Sequence, residues 1–113
     1  MAWSGITHGV VGTPLYLSPE AIAGHDPEPS FDLWALNMVL FEACAGVHPL
    51  RGGSLEDTLQ RIRDGRVPDL TRFAPECPEP VVDYFRGALG RERRRRPQTA
   101  AEVRTLLAAL HGS

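Results

Sequence analysis

The sequence predicts a mainly α-helical fold of four to five helices joined by loops, without a substantial sheet. Three observations support this prediction. Residues 32–45 are apolar on nearly every side, as in a helix enclosed by other elements. Apolar residues recur at helical spacing in 54–65 and again in 79–89. Residues 99–102 read Thr-Ala-Ala-Glu, the pattern of a capping box that begins a helix.

The most constrained stretch is residues 12–20, Gly-Thr-Pro-Leu-Tyr-Leu-Ser-Pro-Glu. Each of its two prolines fixes its own φ near about −65° and biases the residue before it toward extended backbone. We therefore expect an ordered, non-helical loop. Residues 21–24 then predict a short helical turn that ends at Gly24. Residues 25–29 predict another loop, because prolines at alternate positions do not support a helix.

The helix over 32–45 is predicted to be buried on all sides, with Cys44 as a small apolar residue inside it. Ser30 is the expected N-cap of this helix. Asp32 lies in the first turn, where the helix dipole and the free backbone amides favour a carboxylate. Gly46 is expected to end the helix.

Three further helices follow along the chain. Ser54 is the expected cap of a surface helix that ends at Gly65, and its apolar stripe consists of Leu55, Thr58, Leu59 and Ile62. After a proline-bearing loop, a helix that begins at Glu79 has Val81, Val82, Phe85, Ala88 and Leu89 inward. The last helix carries Val103, Leu106, Leu107 and Leu110 on one face. No internal repeat or low-complexity linker divides the chain, so we predict one unit over residues 1–113.

The composition excludes several classes of protein. A chain of 113 residues with 42% hydrophobic and 23% charged content is typical of one globular domain. Its net charge of −2 gives no general attraction to nucleic acid or to an anionic membrane, and no apolar run is long enough to span a bilayer. No secretory signal begins the sequence. Cys44 and Cys77 lack metal-ligand spacing, so we predict no metal site and a cytoplasmic protein.

Residues 12–20, followed by Asp-Leu-Trp at 32–34, resemble the end of the activation segment in the eukaryotic-type Ser/Thr protein kinases, which include bacterial members. Three more matches to this family follow in the same order: Gly-Val-His-Pro-Leu at 46–50, Arg-Pro at 96–97 and Thr-Ala-Ala-Glu at 99–102. The resemblance extends from about residue 7 to residue 110. It implies a partial kinase C-lobe, the helical lobe of the domain, without the N-lobe and the catalytic loop.

The resemblance also implies roles for individual residues. The P+1 loop, which binds the substrate residue after the phosphoacceptor, corresponds to Gly12, Thr13, Pro14, Leu15, Tyr16 and Leu17. Glu42 matches an acidic position that in some kinases meets a basic substrate residue. Structural roles fall to Glu20, Asp32, Trp34 and Arg96, with Glu20 paired to Arg96. Thr7 corresponds to a regulatory phosphothreonine of bacterial members.

From the residues alone, simpler interpretations of these positions stay open. The simpler interpretation of Thr13 is a turn hydroxyl that bonds nearby backbone. That of Glu42 is a solvated or locally paired carboxylate, and that of Thr7 a solvated hydroxyl. Asp32 is then a helix-capping residue and nothing more.

The sequence does not contain the catalytic machinery of a kinase. All twelve of its basic residues are arginine, so it has no lysine to contact ATP phosphates. The Gly-rich loop, the catalytic loop and the magnesium-binding Asp-Phe-Gly motif are absent as well. We therefore assign no catalytic residue and expect the chain alone to be inactive, with ATP and Mg²⁺ serving only the intact family. The expected partner is a protein substrate or the preceding part of a kinase domain. The alternative is a non-catalytic helical interaction module or a decayed kinase remnant.

A run of five arginines and one glutamate occupies residues 91–96. Clustered guanidinium groups release counterions from nucleic-acid phosphates, which is one interpretation of the run. A single short cluster on a net-acidic chain does not carry that interpretation, so we predict no nucleic-acid partner and no membrane partner. We expect only Arg96 to be buried. Because kinase elements that precede this segment enclose the helix over 32–45, we also expect part of that helix to be exposed here.

Overall fold

The computed structural model describes residues 15–111 of the chain. Within this range there are five α-helices and no β-strand. The helices are α1 (Pro19–Ile22), α2 (Pro29–Ala45), α3 (Leu55–Asp64), α4 (Glu79–Ala88) and α5 (Ala100–His111), with 3₁₀ turns at Leu70–Arg72 and Arg93–Arg95. The predicted mainly α-helical fold without a sheet is confirmed.

The central helix, α2, begins earlier than the sequence predicts. Its N-cap is Glu28 rather than Ser30, and Pro29 occupies the first helical position, where its fixed φ suits a helix and its missing N–H costs nothing. The Ser30 hydroxyl instead donates a hydrogen bond to the Glu28 carboxylate at 2.6 Å. The helix ends, as predicted, at Gly46, which has a φ of +83° that favours glycine.

One side of α2 supplies the centre of the core, where Trp34, Met38 and Phe41 are at most 1% exposed. The opposite side is open, with Leu36 at 44% and Val39 at 49% exposure. Cys44 is exposed as well. The predictions that α2 is buried on all sides and that Cys44 lies inside are therefore wrong. The elements in residues 15–111 pack against only one side of α2, and the expectation that part of this helix stays exposed is confirmed.

The core joins α2 to α4 and to the 3₁₀ turn at Leu70–Arg72. Phe41 makes edge contacts with Phe85 and Phe73, at centroid distances of 5.4 Å and 6.1 Å. Ile62 of α3 is fully buried in the same cluster. Burial of each such side chain contributes about 1.5–3 kcal/mol, so this cluster is the main source of stability in the described part of the chain.

The remaining helix boundaries follow local capping rules. The Ser54 side chain accepts the Asp57 N–H at 3.1 Å at the start of α3. The Thr99 side chain likewise accepts the Glu102 N–H at 3.1 Å at the start of α5. The Glu102 carboxylate in turn accepts the Gln98 N–H at 3.2 Å. In a capping box it would accept the N–H of the cap residue itself, Thr99.

Inward faces are predicted less well than helix ends. Leu106 of α5 is 43% exposed and Leu55 of α3 is 46% exposed, so both inward assignments are wrong. On α4, Tyr84 is buried although the predicted stripe omits it. No helix within residues 15–111 combines the length and the apolar character needed to cross a membrane.

Candidate functional site

The candidate site is built on residues 15–20, here called segment 15–20, which leads into α1. Its residues alternate in exposure: Leu15 is 5% exposed, Leu17 is 36% exposed and Ser18 is fully buried. The Ser18 hydroxyl oxygen accepts the Ala21 N–H at 3.1 Å and thereby caps α1. Gly12, Thr13, Pro14 and Thr7, which the sequence assigns to the same site, lie outside the described residues, and their roles stay predictions.

The far end of segment 15–20 is held by an ion pair. The Glu20 carboxylate accepts two hydrogen bonds from the Arg96 guanidinium, at 2.8 Å and 3.2 Å, across 76 residues of sequence. The Glu20 side chain is 12% exposed and that of Arg96 5% exposed. The paired contact predicted from the sequence is present. Two parallel bonds to one planar guanidinium fix the orientation of both side chains.

Arg96 is satisfied on its other sides too. Its Nε donates to the Gly90 carbonyl at 2.7 Å, and a terminal nitrogen donates to the Arg91 carbonyl at 3.4 Å. Its guanidinium carbon lies 4.6 Å from the centroid of the Trp34 ring, the geometry of a cation–π contact. The buried indole N–H of Trp34 has no acceptor among residues 15–111. Trp34 therefore supports Arg96 through its ring face rather than through a hydrogen bond.

The near end of segment 15–20 is held by Tyr16. The Tyr16 hydroxyl donates a hydrogen bond to the Glu42 carboxylate at 2.5 Å. That bond to a carboxylate, together with partial burial, raises the pKa of Tyr16 above its ordinary value. Glu42 therefore forms a local pair with Tyr16, and its substrate-binding role stays a prediction.

His48 completes the near end, although the sequence gives it no role beyond the turn that contains it. It is 5% exposed, and its Nε2 lies 2.7 Å from the Leu15 carbonyl oxygen. Its Nδ1 accepts the Leu50 N–H at 3.1 Å. These partners define a neutral imidazole that donates from Nε2. Burial lowers the pKa of His48 below its ordinary value.

Tyr16 and His48 also contact each other directly, with ring centroids 5.3 Å apart in an edge arrangement. Segment 15–20, Glu42 and His48 together therefore form a fixed surface, which we call the anchored wall. The wall links the start of segment 15–20 to the C-terminal end of α2. In the sequence, His48 follows the helix-ending Gly46 by two residues. That pattern does not reveal a hydrogen-bond partner 33 residues away.

Two further polar residues lie on α2: Asp32, which the sequence assigns a structural role, and Asn37, which is buried. Asp32 is in the first turn of α2 and is exposed. Asn37 is buried, donates to the Leu33 carbonyl at 3.0 Å and accepts the Tyr84 hydroxyl at 2.5 Å. Burial raises the pKa of Tyr84. The Asn37–Tyr84 bond was not predicted from the sequence.

The anchored wall does not form a metal or nucleotide site. Residues 15–111 contain no group of three or more His, Cys, Asp or Glu side chains arranged to hold a metal ion. The whole sequence lacks a lysine that could contact a nucleotide phosphate. The residues present therefore do not fit Mg-ATP. In the arginine run, Arg93 pairs with Glu28 at 3.3 Å and Arg95 with Glu92 at 3.4 Å, both in exposed positions.

A comparison with known proteins finds relatives whose sequences align with nearly the whole chain. The serine/threonine-protein kinase PknB of Mycolicibacterium smegmatis is 36% identical over 106 residues, which is 93% of this chain and 17% of that protein. The DNA damage-responsive serine/threonine-protein kinase RqkA of Deinococcus radiodurans is 33% identical over 105 residues, 93% of this chain and 15% of its own length. PkaB of Streptomyces coelicolor is 34% identical over 103 residues, 91% of this chain and 24% of its own length.

Among solved structures, the twitchin kinase region from C. elegans superposes with a TM-score of 0.73 over 82% of this chain and 16% of that chain, at 18% identity. This likeness concerns the fold. No family model matches the sequence. The chain spans less than a quarter of the length of each of the three curated relatives, because the shares are 17%, 15% and 24%.

Proposed function

The chain belongs to the Ser/Thr protein kinase family through its homology to part of the catalytic domain, and on that premise we propose that it forms the substrate-binding and supporting part of such a domain. The intact domain would transfer the γ-phosphoryl group of ATP to a protein hydroxyl. This chain would contribute the P+1 loop, residues 12–17, and the residues that support it. It would not supply the phosphate-binding or metal-binding groups.

The observation that supports this proposal is that segment 15–20 is fixed at both ends. Arg96 holds Glu20 through a bidentate pair, and His48 holds the Leu15 carbonyl. A surface that positions a polypeptide must keep its shape when the peptide binds, because ordering it at that moment would reduce the affinity. Phosphoryl transfer depends mainly on positioning and charge stabilisation, so a fixed wall is a useful contribution to it.

The proposal includes the absence of activity from the chain alone. The nucleotide-contacting lysine, the metal ligands and the catalytic base all belong to other parts of a kinase domain. We expect isothermal titration calorimetry to detect no Mg-ATP binding by the chain at micromolar concentrations. We also expect no phosphate transfer to a protein substrate. ATP binding in that concentration range would contradict the proposal.

A chimera tests the proposed role. In it, the 106 matched residues of the M. smegmatis kinase are replaced by this chain. We expect a chimera that transfers radiolabelled phosphate to a protein substrate of the parent kinase. The control is the same chimera with Arg96→Ala, which removes the support of segment 15–20 and should lower transfer. A chimera that is folded by thermal unfolding but transfers nothing would overturn the proposal.

The alternative is a non-catalytic helical module that binds a partner protein. One observation favours it: Leu36 and Val39 of α2 are exposed on one side of the helix. Contiguous exposed apolar residues commonly mark an interaction surface. In the kinase proposal the same side contacts elements that precede the matched segment. The two proposals differ in the chimera, because an interaction module need not restore transfer.

Two smaller parts of the proposal concern regulation and location. We propose that phosphorylation of Thr7 orders the neighbouring loop by pairing with arginine. Mass spectrometry of the protein from its own cells would test for that phosphate, and a Thr7→Ala protein with unchanged regulation would contradict the role. We propose a cytoplasmic location, since Cys44 and Cys77 are both free thiols.

A further inference from the structure

An open groove of about 660 Å³ lies beside the anchored wall. The C-terminal end of α2, the loop after it, α3 and the 3₁₀ turn at Leu70–Arg72 form its sides. Three of the residues that line it are arginines, Arg51, Arg61 and Arg72. We call it the arginine groove. Glu42 and His48 of the anchored wall are also part of its lining, so the wall and the groove form one continuous surface.

Two of the three arginines have no carboxylate partner in the part of the chain that the structure describes. Neither Arg51 nor Arg72 has an acidic side chain within 4.0 Å among residues 15–111. All fourteen Asp and Glu residues of the chain lie in that range, so the remaining residues contain no side-chain carboxylate to neutralise them. Arg51 and Arg72 are both exposed residues, so a ligand can reach them.

The third arginine shapes the groove. Arg61 pairs with Asp57 at 3.2 Å, an exposed contact within α3. It also donates to the Arg51 carbonyl oxygen at 3.2 Å. Arg61 therefore ties the loop that carries Arg51 to α3. This bond limits the movement of the Arg51 backbone, so the loop needs less ordering when a ligand binds.

The negative charge available to oppose these arginines is small. Glu42 is the only acidic residue that lines the groove within the described chain, and its carboxylate already accepts the Tyr16 hydroxyl at 2.5 Å. His48 is neutral in its hydrogen-bonded form, as its two partners require. The groove is therefore locally positive although the chain as a whole carries a net charge of −2.

The groove also has apolar surface next to its charges. Val47 is 49% exposed, and Phe73 lies in the lining with one edge against Phe41 of the core. A free anion would use the arginines and leave this surface unused. A polypeptide with an apolar residue beside an acidic one would use both.

We propose that the arginine groove binds an acidic or phosphorylated segment of the protein substrate, which rests on the proposed function of the anchored wall. The family resemblance alone points the other way, since it pairs Glu42 with a basic substrate residue. Here Glu42 lines the same groove as three arginines, and two of them, Arg51 and Arg72, have no carboxylate partner among residues 15–111. Guanidinium groups bind carboxylates and phosphates in planar, paired geometry, so both anionic forms fit the same groove.

Synthetic peptides test this proposal directly on the 113-residue chain. Four peptides share one sequence that contains a threonine and a phenylalanine. They differ only at two positions, both of which are Glu in the first peptide, phosphoserine in the second, Gln in the third and Lys in the fourth. Fluorescence anisotropy gives each Kd at low and at physiological salt. We expect the Glu and phosphoserine peptides to bind and to weaken as salt rises, because exposed charge pairs are screened. Equal Kd values for the Glu and Gln peptides would overturn the proposal.

Variants locate the binding site. The double substitution Arg51→Ala with Arg72→Ala should weaken the Glu peptide by about tenfold, as expected for the loss of two exposed charge pairs. The matched control is Arg63→Ala with Arg104→Ala, which removes the same charge from exposed positions outside the groove. Urea unfolding should show equal stability for both double variants. An equal loss of affinity in both double variants would show that the effect comes from net charge alone, and it would overturn the proposal.

A charge reversal and a free ion complete the test. Arg51→Glu with Arg72→Glu should bind the Lys peptide better than the Glu peptide. Inorganic phosphate should displace the phosphoserine peptide only at concentrations far above the Kd of that peptide. Displacement at equal concentration would show a phosphate site without polypeptide recognition and would overturn the proposal.

The groove and the proposed function can fail separately. If the chimera with the M. smegmatis kinase is active but phosphorylates the Glu and Gln peptides equally well, only the groove proposal is wrong. If the chimera is inactive while the 113-residue chain still prefers the Glu peptide through Arg51 and Arg72, the groove is an acidic-peptide site and the kinase role is wrong.

Discussion

The two ends of segment 15–20 are held by different kinds of contact. At the Glu20 end, the partner is Arg96, whose side chain is 5% exposed and bonded on several sides. At the Leu15 end, the partners are a neutral imidazole, on His48, and a phenol that donates to Glu42. An arginine keeps its charge at every pH that proteins experience, whereas the imidazole changes its charge near neutral pH.

This difference divides the segment into a permanent part and an adjustable part. The Glu20 end links segment 15–20 to the loop before α5 through an ion pair that is largely shielded from solvent, so salt should screen it little. The Leu15 end adjoins the arginine groove and consists of groups that a ligand or a proton can alter. In the proposed function the substrate meets the adjustable end, and the permanent end preserves the fold while it does.

The largest expected effect is at the permanent end. Arg96→Ala leaves the Glu20 carboxylate buried without its partner, which costs roughly 3–5 kcal/mol in the free energy of unfolding. Arg94→Ala removes the same charge from an exposed position and should change that free energy by less than about 0.5 kcal/mol. Urea unfolding of the two variants measures the difference. Equal effects would show that Glu20 and Arg96 do not form the main tie.

Arg96→Lys keeps this prediction measurable if Arg96→Ala does not fold. A lysine retains the charge but cannot form two parallel hydrogen bonds to one carboxylate, nor stack flat on the Trp34 ring. We expect a stability between those of the natural protein and Arg96→Ala. A lysine variant as stable as the natural protein would mean that charge alone holds this end.

The second prediction separates burial from charge. Tyr84→Phe removes the hydroxyl that Asn37 accepts and leaves a buried amide oxygen without that donor. The expected loss is about 1–3 kcal/mol in the free energy of unfolding. A loss as large as that from Arg96→Ala would show that burial, not charge, makes the permanent end strong. Combining Tyr84→Phe with Asn37→Ala, which removes the unpaired amide and suits a helix, should recover part of the loss.

The sequence predicts a contact correctly when both residues lie in the same helical turn, or when both belong to motifs of one known family. Ser54 and Thr99 are found as helix caps because a cap bonds within its own first turn. The contact between Glu20 and Arg96 spans 76 residues, but both belong to motifs of one family, so the resemblance supplies the pairing.

Sequence reasoning fails where the partner is a backbone group far along the chain or a packing neighbour. His48 bonds the Leu15 carbonyl, and a carbonyl leaves no mark in the sequence. The exposure of Leu36 and Val39 depends on which elements cover α2, and periodicity identifies apolar positions without saying what packs on them. The groove arginines come from three different segments, so no single stretch of sequence shows them together.

The third prediction concerns the adjustable end. Tyr16→Phe removes a half-buried hydrogen bond and should cost about 0.5–1.5 kcal/mol in the free energy of unfolding, less than the loss from Arg96→Ala. Glu42→Gln offers a spectroscopic check, because the bond to a carboxylate raises the pKa of Tyr16. Ultraviolet titration of the phenol should show that pKa moving down toward its ordinary value in the Gln variant. An unchanged pKa would mean that Glu42 does not hold Tyr16 in solution.

The smallest effect is a pH dependence at His48. Burial lowers its pKa in the folded protein below the ordinary value of about 6.5, so between those two values the unfolded chain binds more protons. The stabilisation from neutral His48 is therefore complete above about pH 6.5 and is lost as the pH falls through the folded pKa. The slope cannot exceed about 1.4 kcal/mol per pH unit for one proton.

Protonation has a structural consequence that makes this dependence specific to one end of the segment. A charged imidazole cannot accept the Leu50 N–H at Nδ1, although it still donates to the Leu15 carbonyl. Urea unfolding between pH 5.5 and 7.5 should show falling stability on acidification in the natural protein and a weaker slope in His48→Gln. His25→Gln is the control, because it removes one histidine from an exposed position. If both variants keep the full slope, the adjustable end does not titrate through His48, and the contrast with the permanent Arg96 end does not hold for pH.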